Sequence, residues 1–222
     1  FFTEEKEARG RAVAAEEQAS SQNQFLIEDL LGQATPEKGP RAKNVTLIEA
    51  LGAATAKLDQ KAKIRQQPKL EASLRLAVGR TYFSLGLLSE AERNLRKAVT
   101  LRQSALGRQH LDTLEAQHWL AKLLSGQRKD EEVERLSRET WQGRLRLLGA
   151  EDSNTLSSQE LYEEALVEQG KLPEAEPIAR QILQIRERVL GPDDPATISS
   201  LGDLAELLQR RGNNAEAELY IR

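Results

Sequence analysis

Marker residues return at a fixed interval of 42 positions along this chain, and that regularity constrains its fold more than any other property. Gly107, Gly149 and Gly191 each follow a leucine, and Thr113, Thr155 and Thr197 each stand six residues further on. A second marker keeps the same interval: Glu90-Ala91-Glu92, Glu132-Val133-Glu134, Glu174-Ala175-Glu176 and Glu216-Ala217-Glu218. Self-similarity at a period of roughly 20 to 50 residues is the mark of a solenoid, in which each unit buries its apolar face only against its neighbours. Architectures of this kind act chiefly by presenting extended surfaces to other proteins.

The residue vocabulary within the repeats is helical. Hydrophobic residues make up 39% of the 222, only 4% are aromatic, and Leu and Ala dominate, which suits helix pairs packed through small and medium side chains. The 32 basic and 35 acidic residues nearly cancel, so no global field draws the chain to nucleic acid or to an anionic membrane surface. With no cysteine, disulfides, thiolate catalysis and Cys-ligated zinc are excluded, and the redox compartment is left open. No run of about 18 apolar residues is present to span a bilayer. The opening Phe1-Phe2 is compatible with the exit of a preceding membrane span or with an arbitrary boundary, so an extracytoplasmic and a cytoplasmic location both stay open.

The pattern predicts an all-α chain. Residues 1–34 are expected to form a linker helix, rich in Glu, Ala, Gln and Arg. Residues 35–68 follow as a turn and a capping helix. Pro36, Gly39 and Pro40 break the chain, and Leu47, Leu51, Ala54 and Leu58 then line one face behind a Thr46/Glu49 capping box. The repeats occupy 69–222, divided as 69–107, 108–149, 150–191 and a partial 192–222. Each is a first helix (about 69–85, 112–127, 154–169, 196–211), a tight turn, and a second helix (about 88–106, 130–148, 172–190, 214 onward). The turn slot holds Gly86, Gly170 and Gly212, whereas the second repeat has Arg128 there and a glycine two residues earlier, at Gly126, so a distorted turn is expected. Small residues recur where the helices should cross, at Gly79, Ala121 and Ala205 on first helices and Ala91, Ala175 and Ala217 on second helices.

A small residue, an aromatic or Leu three positions on, Gly at the turn and Ala five later is a pattern that resembles the tetratricopeptide repeat. The 42-residue period and the junctions Leu106-Gly107-Arg108-Gln109-His110-Leu111-Asp112-Thr113-Leu114 and Leu190-Gly191-Pro192-Asp193-Asp194-Pro195-Ala196-Thr197-Ile198 look like the kinesin-light-chain type of this repeat. The resemblance implies a right-handed α-solenoid of helix-turn-helix repeats with linker and capping helices ahead of it. Residues 25–107, beginning Phe25-Leu26-Ile27-Glu28-Asp29-Leu30-Leu31, are also similar to a module of large bacterial proteins that follows a serine/threonine kinase domain and a membrane span. That likeness implies the sensor or scaffold region of a membrane-tethered bacterial kinase. The chain itself carries no Gly-rich loop, HRD or DFG, so it is expected not to be an enzyme even if a full-length parent is a kinase.

The chemistry-bearing residues are few. His110, in an inter-repeat loop, is expected to cap the following helix, and His118 lies on a first helix; no HExxH or Cys set accompanies them, so neither a metal nor a cofactor is expected. The Glu-x-Glu markers read as solvated helix starts, since residues two apart on a helix diverge and the positive dipole end favours acids. In tetratricopeptide repeats the first helices line a concave groove. The matching face here comprises Arg80 and Phe83, with Leu76, in the first repeat, His118, Lys122 and Ser125 in the second, Glu160, Glu164 and Val167 in the third, and Asp203, Glu206 and Gln209 in the fourth. Its charge passes from basic to acidic, which would orient an extended peptide. The asparagine pair of related peptide-binding grooves is absent: the matching positions are Leu76-Ala77, His118-Trp119, Glu160-Leu161 and Gly202-Asp203. The expected function is a non-catalytic module that binds a protein or peptide, with no nucleic-acid partner. The alternative is a structural spacer or a homo-oligomerisation module.

Overall fold

The computed structural model describes residues 47–60 and 66–221. The linker helix, the Pro/Gly break, Thr46 of the capping box and much of the stretch that carries the kinase-associated likeness lie outside them. Among the described residues every regular element is an α-helix. The chain divides into two compact units, one ending at Ala105 and one spanning Leu106–Arg222.

The first unit contains α1 (Leu47–Gln60), α2 (Pro68–Ser84) and α3 (Leu88–Leu106). Leu51, Ala54 and Leu58 of α1 are buried, as an amphipathic capping helix requires. Pro68 starts α2 at a position where its missing N–H is no loss. The hairpin between α2 and α3 closes through Gly86, at φ 74°, and the Leu87 amide donates to the Tyr82 carbonyl at 2.9 Å. Gly79 is required by the crossing, because a Cβ there would lie 2.8 Å from Leu95 Cγ. Arg75 is 1% exposed. Its guanidinium donates to Asp59 Oδ1 (2.6 Å), Glu71 Oε1 (3.1 Å) and Asn94 Oδ1 (3.1 Å), so the buried charge is both paired and hydrogen-bonded. Asp59 also accepts from Lys97 at 2.6 Å. Burial works against its ionisation, yet the hydrogen bonds from Lys97 and Arg75 hold its carboxyl below the usual range.

The second unit contains α4 (Leu111–Ser125), α5 (Asp130–Leu148), α6 (Ser153–Glu168), α7 (Leu172–Val189), α8 (Pro195–Arg210) and α9 (Asn214–Ile221). The period is visible atom by atom. His110, Asp152 and Asp194 cap α4, α6 and α8, each accepting from the amide two residues on. His110 thus does what its place in the loop predicts. Gly107, Gly149 and Gly191 all adopt positive φ near 90°, and Thr113, Thr155 and Thr197 are all fully buried six residues on, although only the Thr113 hydroxyl donates to its glycine carbonyl, at 2.8 Å. A second periodic device joins successive helix pairs. Arg144 donates to the Asn154 carbonyl (2.9 Å) and Ser158 Oγ (2.7 Å), and Arg186 repeats this with the Ala196 carbonyl (3.1 Å) and Ser200 Oγ (2.6 Å). Glu134 and Glu176 likewise meet Gln169 and Arg211 of the following turn. The Glu-x-Glu marker is therefore divided in role: its first acid lies in the first turn of the second helix, and in these two repeats its second acid ties to the next repeat.

Helix spans fall within two residues of those expected, and one turn corrects the sequence reading. The second repeat is not distorted at Gly126, which stays helical at φ −63°. Arg128 instead takes φ 59°, in the left-handed region its glycine counterparts occupy. The Lys129 amide still reaches the Leu124 carbonyl, at 3.4 Å against 2.8 Å for Lys171 to Leu166. A backbone turn repeated in geometry thus overrides the local cost of a left-handed non-glycine residue.

The core of the second unit combines Leu166, Ala175, Ala179, Leu183, Leu204, Leu207, Leu208 and Ala217. Trp141 stacks on Tyr162 at 5.7 Å between ring centroids. Gly143, buried on α5, leaves room for Leu114, whose Cδ1 would lie 2.7 Å from an added Cβ.

Candidate functional site

The small-residue slot on the first helices reads Gly79, Ala121, Glu163 and Ala205 at the interval of 42, and the exception organises the site. In the first unit Gly79 faces the large Leu95. The counterpart of Leu95 in the third repeat is Ala179, and Glu163 and Ala179 line the same pocket. The second repeat also has a small residue, Ser137, at the Leu95 position but keeps Ala121 in the slot, so the carboxylate is peculiar to the third repeat.

The pocket has a volume of about 390 Å³ and lies within the second unit, among α6, α7 and α8. Val167, Ala179, Ile182 and Leu207 form its apolar lining, and Glu160, Glu163, Glu164, Glu168, Asp203 and Glu206 supply six carboxylates. Arg210 also lines it, with its Nη2 donating to the Val167 carbonyl at 3.0 Å. Arg186 pairs with Glu160 at 2.5 Å while holding Ser200. Burial, reinforced by Asp203, Glu164 and Glu160 and opposed by Arg210, pushes the Glu163 carboxyl up to about 7. Burial and Glu168 raise Glu164 as well, against Lys122. Asp203 is raised by burial and by Glu206, against Arg186.

A carboxylate titrating near neutrality could serve as a general acid or base. Here it has no nucleophile to work with. Ser200 Oγ accepts from Arg186 and donates to the Ala196 carbonyl, so the hydroxyl is committed to structure. Among the described residues no group of three or more His, Asp or Glu is arranged to hold a metal ion. What the arrangement does offer is an open, anionic recess with an apolar lining.

The residues expected on the groove face are distributed as follows. Glu160, Glu164, Asp203 and Glu206 converge on the pocket with Val167. Lys122 is exposed, with its Nζ 5.5 Å from the centre of the Trp119 ring. His118 is half-buried, with Nδ1 3.5 Å from Ser158 Oγ. Burial, with Arg144 and Lys122, depresses its pKa to about 4, leaving it neutral at pH 7. Arg80 is exposed and Phe83 half-buried on α2, in the first unit. Leu76 is 4% exposed and packs inward rather than lining an open face. The pattern missed Glu163, Glu168, Ala179, Ile182, Ser200, Leu207 and Arg210. The one available signal was the break in the small-residue series at Glu163.

Stacked helix pairs with a recess on the first-helix face define the class: an all-α repeat fold of tetratricopeptide type. Tetratricopeptide-repeat profiles match residues 72–112 and 164–222. The fold is similar to the nearly identical TPR-like repeats of a Podosopora anserina protein described as a kinesin light chain, in two crystal structures. One, of a variant with a single substitution, has a TM-score of 0.71 at 21% identity, over 92% of this chain and 91% of that one. The other has a TM-score of 0.67 at 19% identity, over 93% and 90%. BtubC (BKLC) from P. vanneervenii is similar at a TM-score of 0.65 and 15% identity, over 93% and 87%. No curated protein matches the chain in sequence. Among the described residues no helix is long and apolar enough to cross a membrane.

Proposed function

We propose that this chain is a non-catalytic interaction module that receives an extended peptide or protein segment on the first-helix face of its second unit. The observation that carries the reading is the open recess of about 390 Å³ between α6, α7 and α8, with apolar side chains inside and charged side chains around it. Tetratricopeptide repeats generally mediate protein–protein interaction, and the interval of 42 supplies the stacked first helices on which such a face is built. The test is residue-resolved NMR of the full chain titrated with a peptide library. Shifts confined to α6, α8 and the adjoining face of α4 support the reading, and shifts confined to the outer faces of α5 and α7 overturn it.

The wider proposal, in which the module is the sensor or scaffold region of a membrane-tethered bacterial serine/threonine kinase, rests on the sequence likeness of residues 25–107. Sequence preceding Phe1 that encodes kinase motifs and about 20 apolar residues would support it. A second reading, self-association, draws on the apolar residues exposed near the ends of α5 and α7: Leu145, Leu147, Leu148, Val189 and Leu190. Light scattering separates the two, since self-association requires a stable oligomer without ligand.

A further inference from the structure

Resting on that reading, we propose that the recess between α6, α7 and α8 is a selectivity pocket for the cationic side chain of a lysine or arginine in the bound segment, with a neighbouring aliphatic residue of the same segment on its apolar lining. Three observations carry this. First, the lining is charge-imbalanced in one direction. Six carboxylates and one guanidinium, that of Arg210, line the recess; Arg186 pairs with Glu160 and Arg128 with Glu168, which leaves Glu163, Glu164, Asp203 and Glu206 facing Arg210, whose Nη2 already donates to the Val167 carbonyl. Second, Glu163 occupies a slot that is Gly or Ala in the other three repeats, and it lines the pocket together with the small Ala179, where the first repeat has Leu95. A half-buried acid surrounded by Ala179, Ile182, Leu207 and further acids gains more from an incoming cation than a fully solvated one does, because less water is there to compete. Third, the apolar side chains Val167, Ile182 and Leu207 suit the methylene stem of a long basic side chain as well as an aliphatic neighbour. An acidic or phosphorylated segment would meet a lining in which carboxylates outnumber the one guanidinium, that of Arg210.

Protonation follows from the same contacts. A cation bound beside Glu163 favours its ionised form, so binding releases a proton and tightens as the pH rises through 7. The groups facing Glu163 are Asp203 and Arg210 on α8 and Glu160 and Glu164 on its own helix. Of the surrounding charges, Glu206 acts on Asp203, Arg186 of α7 acts on Asp203 and pairs with Glu160, and Lys122 of α4 acts on Glu164.

The test is fluorescence anisotropy of the full chain with three labelled peptides: acetyl-Gly-Leu-Lys-Leu-Arg-Leu-Gly-amide, the same peptide with Gln in place of Lys and Arg, and the same with Glu. The basic peptide is expected to bind at least about tenfold tighter than the Gln peptide. It should weaken about three- to tenfold between roughly 50 and 300 mM salt and tighten about three- to tenfold from about pH 6 to pH 8. Glu163→Gln and Glu206→Gln should each lower its affinity about three- to tenfold, and Glu163→Gln should also flatten the pH dependence. Glu139→Gln, on α5, should change nothing. Circular dichroism confirms that each variant is folded, and Glu206→Gln, at an exposed position, keeps the test sound if Glu163→Gln misfolds. Tighter binding of the Gln or Glu peptide on this face overturns the cation pocket and leaves the interaction face standing. Equal affinity for free spermidine overturns the assignment to a peptide residue. Failure of all three peptides to bind overturns both proposals.

Discussion

Arg75 in the first unit and Glu163 in the second are both charged residues set into helix-packing surfaces, and their surroundings could hardly differ more. Arg75 is enclosed by Asp59, Glu71 and Asn94, each within hydrogen-bonding distance. Glu163 is surrounded by Asp203, Glu164 and Glu160, with only Arg210 as a counterweight. In the first arrangement the buried guanidinium is matched by partners of its own unit. The second is poised near neutrality, with acids outnumbering the one arginine among the groups that act on it. A charge withdrawn from water therefore marks architecture in one unit and, on the proposed reading, a recognition surface in the other, and the distinction lies in the neighbours rather than in the residue type.

The sharpest way to break the contrast is Arg75→Ala, which strands Glu71 and Asn94 in the interior. It should cost about 3 to 5 kcal/mol in urea unfolding followed by circular dichroism, and a loss below about 1 kcal/mol would mean the cluster is ornamental. Glu163→Gln should move stability the other way. The folded-state pKa of Glu163 is raised from its ordinary 4.5 to about 7. Its penalty is therefore absent below pH 4.5, grows as the pH rises, and is complete above 7. The variant should gain about 2 to 3 kcal/mol at about pH 8 and nothing at about pH 4.5. His118 titrates with the opposite sign: its contribution is intact above its ordinary 6.5 and is lost as the pH falls towards about 4. The parent should therefore show a flatter pH profile between 4.5 and 6.5 than the His118→Gln variant, which leaves Glu163 unopposed. Gly79→Ala and Gly143→Ala ask whether the two units share the same close helix crossings. Each forces a methyl against Leu95 or Leu114, and each should cost about 1 to 2 kcal/mol in the same unfolding assay. The smallest effect is expected from Arg128→Gly, which relieves the left-handed arginine and gives up its exposed ion pair with Glu168; a net gain of up to about 1 kcal/mol in thermal unfolding is expected.

Much of this architecture was legible in the sequence, because a repeat writes each structural requirement several times. The helix pairs, the glycine turns and the capping role of His110 follow from residues that recur in register. What escaped was of two kinds. The Arg144 and Arg186 contacts do recur, as do Ser158 and Ser200, but long polar side chains carry no hydrophobic period and read as surface. Glu163 escaped for the opposite reason. A reading built on recurrence passes over the position that departs from it, and the meaning of the departure depends on Ala179, which lies on another helix and looks like one more small residue. Leu76 was misplaced because helical phase alone does not say which neighbour covers a face.

The arginine clasps carry a consequence for how such a chain can change length. Each takes its serine and its carbonyl from the helix pair that follows, and the two clasps stand 42 residues apart. A tandem duplication or excision of one whole period keeps each arginine in register with a following helix pair, and the clasp is complete where that pair carries the serine, as at Ser158 and Ser200, but not where it carries Ala116. An insertion of any other length leaves a guanidinium facing the wrong groups. A change of length by one whole period is thus the kind that keeps the clasps in register.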